Sequence, residues 1–172
     1  TVSNVVGNLS GTVYSDEGAT TAAAGKTVRL VVNGASVETV LTDASGAYAF
    51  ASEVGSGAAV LIYVDNDAAL KANAVTVGDG ASHAGIDLYG NHVIVRSDDG
   101  SATTTTDLAA AKGAFADADI LYSVAGSALT VSGATTELYI GAGQQFSAGG
   151  NVTTADLESR GTYDGGSGTL RI

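Results

Sequence analysis

Residues 27–41 have the sequence TVRLVVNGASVETVL, in which two runs of β-forming residues flank the dipeptide Asn33-Gly34. Asn-Gly accepts positive φ at both central positions of a type I′ turn, and it is therefore the strongest short-range signal for a β-hairpin. We predict strands at 27–32 and 36–41, joined by this turn.

Further strands are predicted on both sides of the hairpin. Upstream, 2–6 and 9–14 precede the acidic turn Asp16-Glu17-Gly18. Downstream, we predict strands from 47, from 60 to 64, from 74 to 77 and from 86 to 89. The apolar run 60–64 is long enough for a central buried strand. About eight short strands separated by turn residues are typical of a β-sandwich.

Three segments of this half resemble the bacterial Cna-B-type and carboxypeptidase-regulatory-like (prealbumin-like) sandwiches that recur in surface proteins. They are Ser10-Gly11-Thr12-Val13-Tyr14, Gly25-Lys26-Thr27-Val28-Arg29-Leu30 and Thr42-Asp43-Ala44-Ser45-Gly46-Ala47-Tyr48-Ala49-Phe50. The resemblance covers about residues 8–90 and implies an Ig-like sandwich. We assign it to a first domain, 1–96.

The resemblance also implies a covalent cross-link. In Cna-B relatives an early lysine forms an isopeptide bond to a late Asn or Asp beside a buried acid. Lys26 takes the lysine position, Asn91 or Asp87 the acceptor position, and Glu38 or Glu53 the acid position. The alternative, which we favour, is a solvated Lys26 at the start of a strand.

The second half is richer in glycine and threonine. Residues 91–96 form a predicted strand between the halves, 97–106 form the boundary, and 107–115 form one short helix ended by Gly113. From 120 onward, apolar pairs recur between glycines roughly every six to nine residues. We expect a second domain, 97–172, that is a glycine-rich β-sandwich or an irregular β-roll rather than a regular solenoid. Residues 141–172 also resemble segments of very long bacterial surface proteins.

Composition supports an all-β fold and restricts the partners. The chain has 24 glycines, no proline, no cysteine and a net charge of −11. Tight turns and β-branched strands use such residues. The acidity argues against nucleic acid as a partner, and no apolar run approaches the length of a membrane span.

Cations are the charged partners that an acidic chain favours. Of its acidic turns, Asp65-Asn66-Asp67 is the preferred candidate, because loop carboxylates and carbonyls are the ligands of Ca²⁺. We expect no required cofactor and consider structural Ca²⁺ at Asp65 and Asp67. His83, Asp87 and His92 match no known metal-ligand spacing.

No spacing indicates an enzyme, because Gly25-Lys26-Thr27 lacks the rest of a phosphate-binding loop and Ser82-His83 lacks a nucleophile elbow. We expect an extracellular or cell-surface protein, secreted with its signal removed, that is a structural subunit or repeat unit of a bacterial filament, stalk or matrix. Its partners would be copies of itself or neighbouring repeats.

The assembly would use a donated strand at the start of the chain, with Val2, Val5, Leu9 and Val13 as its apolar residues. The alternative function is an adhesin module that binds a glycan or another ligand. Its exposed aromatics would come from five tyrosines: Tyr63, Tyr89, Tyr122, Tyr139 and Tyr163.

Overall fold

The computed structural model of the chain describes residues 6–18 and 20–172, which are almost entirely β-strands and turns. The predicted all-β class is confirmed. The elements are β1 (Val6–Tyr14), β2 (Thr27–Val32), β3 (Ala35–Leu41), β4 (Ala47–Gly55), β5 (Ala59–Asp65), β6 (Asn73–Val77), β7 (Leu88–Tyr89), β8 (His92–Val95), β9 (Thr103–Thr104), α1 (Thr105–Lys112), β10 (Tyr122–Ala125), β11 (Ala128–Val131), β12 (Glu137–Ile140), β13 (Gln145–Ser147), β14 (Val152–Thr153), β15 (Asp156–Ser159), β16 (Thr162–Asp164) and β17 (Leu170–Arg171).

The predicted hairpin is confirmed. Strands β2 and β3 pair antiparallel, and the two residues between them have positive φ, 50° at Asn33 and 77° at Gly34. These are the conformations that a type I′ turn requires. Turn chemistry in the sequence therefore fixes the register of this edge of the sheet.

The first half of the chain forms two facing sheets. A three-stranded sheet has the order β4-β1-β7, and it faces strands of a seven-stranded sheet with the order β15-β12-β8-β6-β5-β2-β3. The core between them contains Leu9, Val13 and Phe50 from one sheet and Leu30 and Ile62 from the other. This arrangement is a β-sandwich.

Strand β5 is buried on both of its faces. Its residues alternate, so that Val60, Ile62 and Val64 belong to the sandwich core while Leu61 and Tyr63 belong to a second core on the other side. Every residue of β5 is buried. A strand covered on both faces is continuously apolar rather than alternating, and this confirms the prediction made from the run 60–64.

The second half winds into three stacked rungs of parallel strands. The first rung contains β8, β9 and β11, the second β12, β13 and β14, and the third β15, β16 and β17. Corresponding strands of successive rungs pair in parallel on all three faces. We call this region the coil. It is more regular than the irregular β-roll or sandwich expected from the sequence.

Apolar side chains stack inside the coil from rung to rung. Leu138 is paired with Val93 and Leu157, and Val152 with Leu129 and Leu170. Burial decreases along these stacks, from 0% exposure at Leu138 and Val152 to 36% at Leu170. The last rung has no covering rung among the described residues, and this leaves its inner side chains partly open.

Two glycines allow the backbone of successive rungs to approach closely at one corner. A Cβ on Gly150 would lie 2.3 Å from the carbonyl oxygen of Ser127, and a Cβ on Gly168 would lie 1.9 Å from that of Gly150. Neither separation is compatible with a side chain. The corner therefore requires glycine in both rungs.

The seven-stranded sheet crosses the predicted boundary at residue 96. Strand β8 pairs with β6 on one side and with β12 on the other. The core on the coil side also combines residues of both halves, such as Leu61 and Val75 with Leu138 and Phe146. Two separate domains, 1–96 and 97–172, are therefore not confirmed.

The short helix α1 lies between β9 and β10 and covers the coil-side face of β5 and β6. Thr104 caps it, and Asp107 is the third helical residue, whose carboxylate accepts a bond from the Thr104 backbone N–H. This is a capping box. The predicted helix and its end at Gly113 are confirmed, although it starts two residues before the predicted 107.

No helix within 6–18 and 20–172 has the length and hydropathy needed to cross a membrane.

A half-buried ion pair closes the junction between the sandwich and the coil. The Arg96 guanidinium donates to both oxygens of Asp98, at 2.9 and 2.7 Å, and also to the carbonyl of Gly85 at 2.9 Å. The hydroxyl of Thr76, in β6, donates to Asp98 at 2.7 Å. Burial alone would raise the pKa of Asp98, but hydrogen bonds and charge from Arg96 outweigh it and lower this pKa.

Gly150→Ala should destabilise the chain by about 2 kcal/mol, because the new methyl group overlaps the Ser127 carbonyl and the rungs must separate. Gly141→Ala is the matched control. Its Cβ would meet side-chain atoms only at 3.5 and 3.8 Å, which is ordinary contact. Urea unfolding measures both variants. Equal losses for the two would contradict close packing at this corner.

The Arg96–Asp98 pair should make stability depend on pH. Because the pKa of Asp98 is lower in the folded than in the unfolded chain, its contribution is present above about pH 4 and is lost as the pH falls through the folded-state pKa. Asp98→Asn should cost about 3 kcal/mol at neutral pH and flatten the acid limb of the stability profile. Asp99→Asn, at an exposed neighbouring aspartate, should do neither.

Candidate functional site

Four features of the structure are candidates for function: the two outer edges of the seven-stranded sheet and two clusters of ionisable side chains. The edges are strand β3 at one end and strand β15 at the other. Each is paired on one side only within this sheet. Edge strands of this kind are templates for pairing with another chain.

Exposed apolar side chains concentrate near these two ends. Strand β3 exposes Val37 by 47% and Leu41 by 66%, and the end of the last rung exposes Leu170 by 36% and Ile172 by 74%. Among the described residues only Val6 joins them as a large exposed hydrophobic. Among the described residues, the β3 end of the sheet therefore combines a free backbone edge with exposed apolar side chains of the same strand. At the other end β15 provides the free edge, and the exposed apolar side chains belong to β17 and the residues after it, in the same rung but in the four-stranded sheet.

The predicted assembly strand has a different place. Val2 and Val5 lie outside the described residues. Leu9 and Val13 are buried in the sandwich core, and β1 is the middle strand of its sheet, between β4 and β7. The backbone of 6–14 therefore pairs within the chain, and among the described residues the outer edges of the seven-stranded sheet are β3 and β15.

The predicted calcium ligands have different partners. Asp67 forms an ion pair with Lys26, which together with backbone N–H donors lowers the pKa of Asp67. Asp65 accepts from Arg29 Nε at 3.0 Å and Nη2 at 2.6 Å through one oxygen. Within the described residues its other oxygen is buried and has no hydrogen-bond partner.

Asp65 instead belongs to a cluster with Asp117 and Asp119, whose carboxylate oxygens lie within 4.8 Å of one another. Neighbouring donors already engage all three: Arg29 at Asp65, Tyr63 at Asp117 (3.0 Å) and Lys71 at Asp119 (3.1 Å). Burial and Asp117 raise the pKa of Tyr63, which keeps its hydroxyl a donor. Any Ca²⁺ would compete with two fixed cations here.

The predicted isopeptide partners also have other contacts. Lys26 Nζ is bound to the Asp67 carboxylate. Asn91 is exposed in the turn between β7 and β8, where its φ of 59° is that of a turn residue. Its backbone N–H donates to the carbonyl oxygen of Lys71. Asp87 accepts from the Thr12 N–H, and Glu38 accepts from the Ala51 and Ser52 N–H groups.

A second cluster joins three distant parts of the chain. His92, the first residue of β8, has its Nε2 at 3.7 Å from Glu17 Oε1 and at 3.6 Å from Glu137 Oε2. Glu137 begins β12 and is the register partner of His92, and Glu17 belongs to the acidic turn after β1. An open cleft that includes Ser15 and Thr135 is also lined by Glu17 and His92.

This cluster was not expected from the sequence. The sequence indicates His92 only in combination with His83 and Asp87, and Glu17 only as part of an acidic turn. His83 and Asp87 have other partners: His83 Nε2 is 2.8 Å from Asp79, and Asp87 binds the backbone of Thr12. Long-range strand pairing brings Glu17 and Glu137 to His92, and no local sequence pattern records it.

Comparison with known proteins adds no assignment. A scan of the chain against protein-family models finds no match, and a search of curated proteins finds no similar sequence. The function is therefore argued from the geometry.

The ion pairs of Asp65 and Asp67, with Arg29 and Lys26, should contribute unequally to the free energy of unfolding. Arg29→Gln leaves the carboxylate of Asp65, 1% exposed, without its ion-pair partner and should cost about 3 kcal/mol. Lys26→Gln removes the partner of the more exposed Asp67, 17%, and should cost at most about 1 kcal/mol. Urea unfolding of both variants checks this, and a loss for Lys26→Gln as large as for Arg29→Gln would refute it.

Proposed function

We propose that the chain is a structural subunit or repeat unit of an extracellular bacterial filament, stalk or matrix, and that copies join end to end through the edges β3 and β15. The observation that carries the proposal is that one sheet runs through the sandwich and the coil and, among the described residues, has an unpaired edge strand at each end, with exposed apolar side chains on β3 at one end and on the last rung at the other. The composition supports the extracellular role, because a chain without cysteine or methionine resists oxidation. The resemblance to surface-protein sandwiches supports it as well.

The two edges differ, and this determines the kind of assembly. If β15 of one copy pairs with β3 of the next, the interface is heterologous, and repeated use of it extends a fibre instead of closing a dimer. Leu170 and Ile172 of one copy would then approach the end that carries Val37 and Leu41 of the next. Burying these side chains together removes apolar surface from water.

The geometry gives the fibre a repeat length. Seven strands at about 4.8 Å spacing give a rise of about 34 Å per copy along a continuous sheet. The net charge of −11 opposes this contact between copies. Salt screens such repulsion, so assembly should increase with ionic strength.

The tyrosines support a structural role over the alternative adhesin function. Tyr63, Tyr122 and Tyr139 are buried, at 0%, 2% and 8% exposure. Tyr89 and Tyr163 are half-buried and pack against the two cores. Glycan sites instead present aromatic faces to solvent. The proposal includes a structural Ca²⁺ only at the cluster of Asp65, Asp117 and Asp119.

End-blocking variants test the assembly directly. Leu41→Lys places a positive charge at the end of β3, and Leu170→Lys places one in the last rung. Each variant alone should therefore stay monomeric in moderate salt. Wild type, and Val6→Lys as a control away from both ends, should form fibres with a rise of about 34 Å. Electron microscopy and light scattering report the assembly.

A mixture of the two blocked variants identifies the interface. Leu41→Lys retains a functional coil end and Leu170→Lys a functional β3 end, so an equimolar mixture should form a one-to-one dimer and stop. Analytical ultracentrifugation measures this. Wild type that is monomeric at every concentration and salt level, or blocked variants that still polymerise, would overturn the proposal.

A further inference from the structure

We propose that Glu17, His92 and Glu137 form a binding site for a divalent transition-metal ion of the Zn²⁺ class. The three side chains come from a sandwich loop and from the starts of the first and second rungs. The site goes beyond the proposed assembly and does not depend on it.

The imidazole of His92 is oriented as a metal ligand. Its Nδ1 lies 2.6 Å from the carbonyl oxygen of Gly90, and because a carbonyl only accepts, Nδ1 must carry the proton and donate it. In the neutral imidazole, Nε2 then presents its lone pair to the cluster. A backbone carbonyl that fixes the tautomer in this way is the usual outer partner of a metal-binding histidine.

Nε2 lacks a hydrogen-bond partner within the described residues although the His92 side chain is only 9% exposed. A buried polar atom of this kind is costly unless something binds it. The two nearest polar groups, Glu17 and Glu137, are carboxylates, which when ionised accept bonds and donate none. A cation between the three groups satisfies all of them at once.

The separations suit a small ion. Tetrahedral coordination at Zn–N and Zn–O distances near 2.0–2.1 Å places ligand atoms about 3.3 Å apart. The observed distances from Nε2, 3.6 and 3.7 Å, exceed this by a few tenths of an ångström. Because one ligand is an imidazole nitrogen, the set favours Zn²⁺ over Ca²⁺ and Mg²⁺, which prefer oxygen ligands. Water from the bordering cleft supplies the open position.

The surroundings hold the carboxylates in place and add negative charge. Arg160 donates to Glu17 Oε2 at 3.1 Å, which leaves Oε1 directed at His92. The carboxylates of Glu17, Asp156 and Glu158 lie near Glu137 and add negative charge around it. The carboxylates thus repel one another in the absence of a cation. A metal ion would relieve this repulsion and connect the sandwich to two rungs of the coil.

Isothermal titration of the tag-free full chain with ZnCl₂ tests the site. Wild type should bind one Zn²⁺ per chain, and Glu17→Gln and Glu137→Gln should each weaken binding by at least about tenfold. Glu53→Gln makes the same charge change at an exposed position of β4 and should bind as wild type does. Co²⁺ should give visible absorption bands of a low-coordinate site, which Zn²⁺ abolishes.

Thermal unfolding provides a second readout for variants that are less stable. Zn²⁺ should raise the unfolding midpoint of wild type and Glu53→Gln and leave that of Glu17→Gln and Glu137→Gln unchanged. Three results would each overturn the proposal: no Zn²⁺ binding to wild type, equal Zn²⁺ affinity in Glu17→Gln and Glu53→Gln, or Ca²⁺ binding that is as tight as Zn²⁺ binding and is weakened by Glu17→Gln and Glu137→Gln.

Discussion

The structure depends on one sheet whose central strands are covered on both faces. Strands β5, β6 and β8 have the sandwich core on one side and the coil core on the other, and all their residues are buried. Such a sheet exchanges its backbone groups with water only at its outer edges. In the proposed assembly, growth between copies would therefore follow the hydrogen-bonding direction of the sheet.

This constraint explains which parts of the fold were predictable from the sequence. The hairpin at Asn33-Gly34, the buried run in β5 and the helix end at Gly113 are local, because each depends on turn chemistry or on a short apolar pattern. The stacking of rungs is not local, because it depends on pairing between strands that are far apart in the sequence. Equivalent positions recur after 19, 17 and 18 residues (138 to 157, 146 to 163 and 152 to 170), and α1 and β10 interrupt the first rung. Unequal spacing and an insertion conceal the period.

The same difference applies to the candidate sites. The sequence predicted Asp65 and Asp67 as ligands of one ion because they are two residues apart. In the structure they form ion pairs with different residues, Asp65 with Arg29 and Asp67 with Lys26. It brings Glu17, His92 and Glu137 together from positions far apart in the chain. Within 6–18 and 20–172 the buried Nε2 of His92 has no hydrogen-bond partner, and this is evident only once parallel pairing has placed Glu137 beside His92.

Hydrogen–deuterium exchange on dilute and on assembled protein tests most directly the claim that one sheet spans both halves and joins copies at its edges. The account predicts that amides of β6, β8 and β12 are equally protected in both states, whereas the outward-facing amides of β3 and β15 are slow only in the assembled protein. Rapid exchange of β12 in the dilute protein, at the rate of exposed loops, would show that the coil folds apart from the sandwich and would contradict the account.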